Sequence, residues 1–117
     1  MNSREDYLSA IYKLTDKGSG KTKTSEVSKE LGISDASASE TIQKLEEDNL
    51  VCRAAYKGFT LSPMGKKKGQ EAEEKFDVLK NIFEEVDVDN PGDEADSVEH
   101  SISREAVEKL ESEIIDR

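Results

Sequence analysis

The sequence predicts a mainly α-helical protein with one small β-hairpin. Apolar residues recur at intervals of three and four along most of the chain, the spacing of one face of a helix. Near the middle, Gly58 separates two short runs suited to strands. The 117 residues are 33% hydrophobic and 38% charged. This length fits one compact domain, or a small domain whose helical appendage completes its core with a second copy.

Three helices are predicted in the first half. Residues 3–17 form the first, and Thr24 or Ser25 caps a short second helix that ends at Gly32. Ser34 caps the third, over 35–48, whose apolar positions are Ala38, Ile42 and Leu45. The short turn between the second and third helices predicts a helix-turn-helix.

The predicted hairpin comes next, over 50–55 and 59–61, and would be the wing of a winged helix-turn-helix. Ser62 and Pro63 begin a long helix that runs to about residue 86. The segment 90–92 breaks that helix, a short helix follows near 93–101, and Ser103 caps the last one. We therefore predict a winged helix-turn-helix domain over 1–62 and a helical dimerisation and metal-binding domain over 63–117.

Five apolar residues form a narrow seam along the long helix. They are Ala72, Phe76, Leu79, Phe83 and Val86. Their alternating spacing suits packing against a helix of a second copy, so a homodimer is expected. The alternative is that the seam covers the chain's own core.

Charge is distributed unevenly. The net charge is −10, but residues 1–69 carry +2 and residues 70–117 carry −12. This suggests a near-neutral nucleic-acid-binding part beside an acidic part, and a solvated acidic surface is the simpler alternative for the second half.

The cysteine content, the apolar runs and the catalytic motifs of the sequence bear on its compartment and on whether it is an enzyme. Cys52 is the single cysteine, which excludes an intramolecular disulfide and suggests a reducing compartment, and no run is apolar enough to cross a membrane. A cytoplasmic protein is expected. No catalytic triad order or phosphate-binding glycine loop is visible, so neither an enzyme nor a small organic substrate is expected.

The outward face of the third helix is rich in small hydroxyl residues, which can approach phosphates and bases closely. Basic residues flank it, including the run 66–68, although a solvated face is the alternative. The predicted DNA contacts are Lys23, Ser34, Ala36, Ser37, Ser39, Glu40, Lys44, Arg53 and Lys57.

A second constellation lies in the predicted short helix. Asp96, Glu99 and His100 stand at i, i+3 and i+4 and share an arc of roughly 100°. Two carboxylates and the only histidine of the chain suit a divalent cation. The alternative is an exposed acidic helix whose histidine has no role.

Several strings, taken in order, resemble the diphtheria-toxin-repressor family of metal-dependent regulators, especially its shorter manganese-responsive branch. They are Glu5-Asp6-Tyr7-Leu8, Leu31-Gly32-Ile33-Ser34, Lys44-Leu45-Glu46-Glu47-Asp48-Asn49-Leu50-Val51, Tyr56-Lys57-Gly58 and Glu99-His100. The resemblance implies a homodimeric repressor that binds double-stranded operator DNA when Mn²⁺ or Fe²⁺ is bound.

The resemblance also implies which residues bind the metal. The family's main site falls on Asp6, Asp96, Glu99 and His100, and one ion per chain is expected. A second family site falls on Ser9 or Phe76, neither of which supplies a carboxylate or imidazole, so a binuclear centre is not expected. Glu40 stands where the family often has a base-contacting glutamine, so the operator sequence does not transfer. The alternative function is a metal-independent winged-helix module that binds DNA or protein.

Overall fold

The computed structural model describes residues 3–54 and 58–116. Within these ranges the elements, in order, are α1 (Arg4–Leu14), α2 (Thr24–Leu31), α3 (Asp35–Glu47), β1 (Val51–Arg53), β2 (Phe59–Leu61), α4 (Pro63–Glu85), α5 (Pro91–Val98) and α6 (Arg104–Ile114). The predicted fold class, mainly helical with one small hairpin, is therefore confirmed.

The chain divides into two compact units, Met1–Ala72 and Glu73–Arg117, and α4 contributes residues to both. The boundary after residue 62 was placed between expected functions and not between compact units, and it stays a prediction. Among the described residues, no helix is long and apolar enough to span a membrane.

One apolar core holds the N-terminal unit together. Ile11 of α1, Val27 of α2 and Ile42 of α3 are fully buried there, beside Phe59 of β2. The predicted inward positions of α3, including Ala38 and Leu45, are confirmed, since both are completely buried. Burial of one face of each helix against the hairpin fixes the helix-turn-helix on a common core.

The predicted caps of α3 and α6 are confirmed. The Ser34 hydroxyl accepts a hydrogen bond from the Ser37 amide, and the Ser103 hydroxyl accepts one from the Ala106 amide. The predicted cap of α2 is wrong. Lys23 is the capping residue, without a side-chain hydrogen bond, and Thr24 already lies in the first turn.

The hairpin β1–β2, here called the wing, is antiparallel and pairs Val51 with Leu61 and Arg53 with Phe59. Thr22 adds an isolated bridge to the other edge of β2 through two backbone hydrogen bonds with Phe59, each 2.9 Å long. Gly58 has φ +109°, and a Cβ there would lie 2.7 Å from the Thr22 carbonyl oxygen. Glycine is therefore required where the wing closes against this bridge.

The C-terminal unit has its own small core. Leu79 of α4, Ala95 of α5 and Val107 of α6 are buried in it, and Phe76 and Phe83 pack against them. These two rings belong to the predicted seam, so within one chain part of the seam covers the chain's own core. The predicted end of the fifth helix near residue 101 is wrong, because α5 ends at Val98 and turns follow.

Candidate nucleic-acid interface and metal ligands

The outward face of α3 carries five of the predicted DNA-contacting residues. Ala36, Ser37, Ser39, Glu40 and Lys44 are all exposed, because the apolar residues between them occupy the opposite face. Gln43, which was not in the predicted set, is exposed in the same helix. A helix that is buried on one side and lined with small hydroxyl residues on the other has the form of a recognition helix.

Two hydroxyl groups at the start of α3, those of Ser34 and Ser37, are held by hydrogen bonds. The Ser34 hydroxyl, which caps α3, lies 3.0 Å from the Ser37 hydroxyl and accepts the Ser37 amide proton at 3.1 Å. Both groups therefore lie at the N-terminus of α3, where the helix dipole favours an anion.

The predicted cations of this surface are partly balanced by neighbouring acids. Lys44 lies 3.6 Å from Glu40 one turn away on α3. The Arg53 Nε atom on β1 lies 2.8 Å from Glu46 in the last turn of α3. Lys23 is exposed at the start of α2, whereas Lys57 falls outside the described residues. The Arg53–Glu46 pair is a contact between the wing and α3.

Asp6 of α1 has a structural role of its own. Its Oδ2 atom accepts the Ser3 amide proton at 3.0 Å, while the Ser3 hydroxyl accepts the Asp6 amide proton at 3.2 Å. These reciprocal bonds form a capping box at the start of α1. A carboxylate has two oxygens with several acceptor positions, so the cap and a cation can share this side chain.

The other three predicted ligands lie at the end of α5 in the C-terminal unit. Asp96 is exposed within α5. Glu99 is the C-terminal capping residue of this helix, and His100 follows in a turn. Glu99 is only 7% exposed, and its Oε1 atom lies 3.5 Å from Nε2 of His100. A buried carboxylate beside an imidazole nitrogen is a donor pair that suits a divalent cation.

The positions named for a second metal site also have clear surroundings. Phe76 packs into the core of the C-terminal unit, and Ser9 is half-buried on α1. Neither side chain supplies the carboxylate or imidazole that such a site needs.

One contact of the helix-turn-helix was missed at the level of sequence. Ser28 of α2 donates a hydrogen bond to the Asp35 carboxylate at the start of α3. No short motif signals this pair, since it depends on how the two helices cross. The Ser3–Asp6 capping box was also missed, although a serine followed three residues later by an acid is its usual signal.

A small helix-turn-helix and wing on one core define the N-terminal unit as a winged-helix DNA-binding domain. The family model described as the iron dependent repressor, N-terminal DNA binding domain, matches residues 1–59. This chain therefore belongs to the iron-dependent repressor family. This is the diphtheria-toxin-repressor family that the sequence resembles.

Solved structures share the fold. A manganese-dependent transcriptional repressor in complex with manganese is 26% identical, with a TM-score of 0.82 over 94% of this chain and 51% of that one. IdeR of T. acidophilum is 17% identical, with a TM-score of 0.81 over 97% of this chain and 54% of that one. The manganese regulator SloR is 24% identical, with a TM-score of 0.80 over 96% and 53%. The chain spans about half the length of these structures.

Proposed function

We propose that this chain is a metal-dependent repressor of metal-homeostasis genes that binds double-stranded operator DNA as a homodimer, with Mn²⁺ or Fe²⁺ as co-repressor. The observation that carries the proposal is the exposed hydroxyl-rich face of α3 beside the wing, within a domain of the iron-dependent repressor family. The helix would enter the major groove and the wing would contact the backbone.

Two further findings support the DNA-binding part. The hydroxyls at the N-terminus of α3 suit phosphate contacts, and Arg53, the last residue of β1, lies exposed beside Glu46 of α3. Because phosphate contacts release counterions, affinity should fall steeply as salt is raised. The predicted contacts, including Lys23 and Lys57, stay part of the proposal.

The proposed metal ligands are Asp6, Asp96, Glu99 and His100, with one ion per chain. Their three carboxylates and one imidazole fit Mn²⁺ or Fe²⁺, and the buried Glu99 next to His100 supports that fit. A bound cation would neutralise the carboxylates and favour one arrangement of the groups that hold it. Asp6 belongs to the N-terminal unit and the others to the C-terminal unit, so a shared ion would couple the DNA-binding unit to the rest of the chain.

The test is selection of duplexes from a random-sequence DNA pool by the 117-residue protein, with and without Mn²⁺ or Fe²⁺. We expect specific duplexes to be enriched only when metal is present. Equal enrichment with and without metal would instead favour the metal-independent module. Absence of enrichment under every condition would contradict the DNA-binding proposal.

Two substitutions then test the ligands. His100→Ala and Asp6→Asn should each weaken metal-dependent binding to the selected duplex by at least about tenfold, as losses of metal-site partners typically do. Asparagine at position 6 retains an oxygen that can accept the Ser3 amide proton, so the cap of α1 should persist.

The matched controls separate ligation from structure. Glu94→Gln removes an exposed acid of α5 outside the proposed set, and Ser3→Ala removes half of the capping box while keeping the Asp6 carboxylate. Both should retain the full metal response. A retained response in His100→Ala, or two Mn²⁺ per chain by calorimetry, would contradict this ligand set.

A further inference from the structure

Ser28 makes two hydrogen bonds across the turn between α2 and α3. Its carbonyl oxygen accepts the Ile33 amide proton at 3.0 Å, just beyond Gly32, whose φ of +67° reverses the chain at the end of α2. Its hydroxyl donates a hydrogen bond to the Asp35 carboxylate. Backbone and side chain of a single residue thus both hold the entry to the recognition helix.

The two partners differ in their surroundings. Ser28 is only 4% exposed, whereas Asp35 is exposed at the first position of α3. An acid at this position is favourable for the helix dipole. It is unfavourable for DNA binding, because the same helix end would face phosphates.

We propose that the Ser28–Asp35 hydrogen bond positions α3, the proposed recognition helix, for base contacts. This role explains why an acid stands at the helix end that would face phosphates. The proposal rests on the proposed DNA-binding function of α3. Asp35 is a positioning residue here, acting through the orientation of α3 rather than through contact with a base. Without the bond, α3 should adopt a wider range of angles to α2 on their common core.

Removal of the bond should leave the fold intact. The Ser28 hydroxyl also lies 3.0 Å from the Ser25 carbonyl oxygen within α2, so it retains an acceptor when Asp35 is replaced. Asp35 is exposed and can be solvated when Ser28 is replaced. Neither substitution leaves a buried polar group without a partner, which is the usual source of large destabilisation.

The experiment compares the full chain with its variants in Mn²⁺, using a labelled duplex enriched by the wild-type protein and an unrelated duplex of equal length. Asp35→Asn and Asp35→Ala are both neutral, but only asparagine retains an oxygen acceptor for Ser28. We expect Asp35→Asn to bind the selected duplex at least as tightly as wild type. Asp35→Ala should bind it about fivefold more weakly than Asp35→Asn, consistent with loss of one hydrogen bond.

Ser28→Ala completes a double-mutant cycle. It should weaken binding to the selected duplex about fivefold when Asp35 is present and have no further effect in the Asp35→Ala background. Affinity for the unrelated duplex should be the same in Ser28→Ala as in wild type, and the same in Asp35→Ala as in Asp35→Asn, because the proteins within each pair have equal charge. A merely destabilising substitution would instead lower both affinities together, along with the thermal midpoint.

The outcomes are distinguishable. Equal affinity of Asp35→Ala and Asp35→Asn, or an effect of Ser28→Ala that persists without Asp35, would overturn the positioning role while leaving DNA binding intact. Failure of the wild-type protein to enrich any duplex would overturn the proposed function itself.

Discussion

Gly65 is a residue at which the backbone of α4 comes very close to the end of the α3–β1 connection. A Cβ at this position would lie 1.9 Å from the Leu50 carbonyl oxygen, and one at Gly69 would lie 2.8 Å from the Leu8 carbonyl oxygen. Both glycines are buried on the same side of α4, one turn apart. Glycine therefore lets the first turns of α4 pack directly against the backbone of the N-terminal unit.

Gly65→Ala should lower the free energy of unfolding by about 1–3 kcal/mol, since the backbone must move to accept the methyl group. The control is Gly92→Ala in α5, where a Cβ would meet nothing within 4 Å. It should be neutral or raise stability by about 0.5 kcal/mol, because alanine loses less backbone entropy on folding. Denaturant unfolding of both variants checks this, and equal stabilities would contradict the close approach.

Single residues also show what sequence could and could not predict. Ser34 and Ser103 were predicted as caps because their hydroxyls act on amides two or three residues away. The cap of α2 was mispredicted because the bridge between Thr22 and Phe59 keeps the chain extended up to Lys23. That bridge depends on a strand far along the sequence, so local propensity at Thr24 does not decide where the helix starts.

At the scale of elements, the wing and α3 are linked by the ion pair between Arg53 and Glu46. Both side chains remain partly accessible, at 55% and 35% exposure. Such a pair between partly exposed side chains contributes little to stability. Arg53 therefore stays accessible, as its proposed contact with a phosphate requires.

Arg53→Glu should weaken DNA binding at least about tenfold and reduce its salt dependence, because one phosphate contact is lost and a repulsion is added. Arg104→Glu in α6 is a matched control, since Arg104 is 56% exposed and also pairs with acids of its own unit. It should leave affinity unchanged. The measurement is fluorescence anisotropy on the selected duplex over a range of salt concentrations, and unchanged affinity in Arg53→Glu would exclude β1 from the interface.

The order of the elements was predictable, whereas the partners of their side chains were not. Periodic burial of Ala38, Ile42 and Leu45 indicates α3 from sequence alone. The ion pair of Arg53 and the hydrogen bond of Ser28 require knowledge of how elements cross, which single-sequence periodicity lacks. For the same reason, the exposed face of α3 was predictable while its internal charge balance was not.

At the scale of the whole molecule, the proposed dimer must be built from apolar surface that one chain leaves uncovered. Phe76 and Phe83 are already used in the core of the C-terminal unit. Val86, Leu110 and Ile115 of the same unit remain 53%, 39% and 38% exposed. Exposed apolar side chains in such a small unit are what a symmetric interface would cover.

Leu110→Glu should therefore shift the protein toward monomer, since a buried unpaired carboxylate is costly at an interface. Met64→Glu is the control, because Met64 is 57% exposed in the N-terminal unit and outside the proposed interface. Light scattering at high micromolar concentration with metal present should give a dimer for wild type and for Met64→Glu. A wild-type monomer under these conditions would contradict the dimer.

The bridge at Thr22 has a consequence for how the protein behaves at high concentration. Strands at the edge of a sheet offer unpaired backbone groups that can join sheets of neighbouring molecules and begin aggregation. Here Thr22 occupies the second edge of β2, and β1 at the opposite edge is only three residues long and ends in the charged Arg53. The connection between α1 and α2 thus protects the wing, which must stay exposed for its proposed contact with DNA, from pairing with the wing of another molecule.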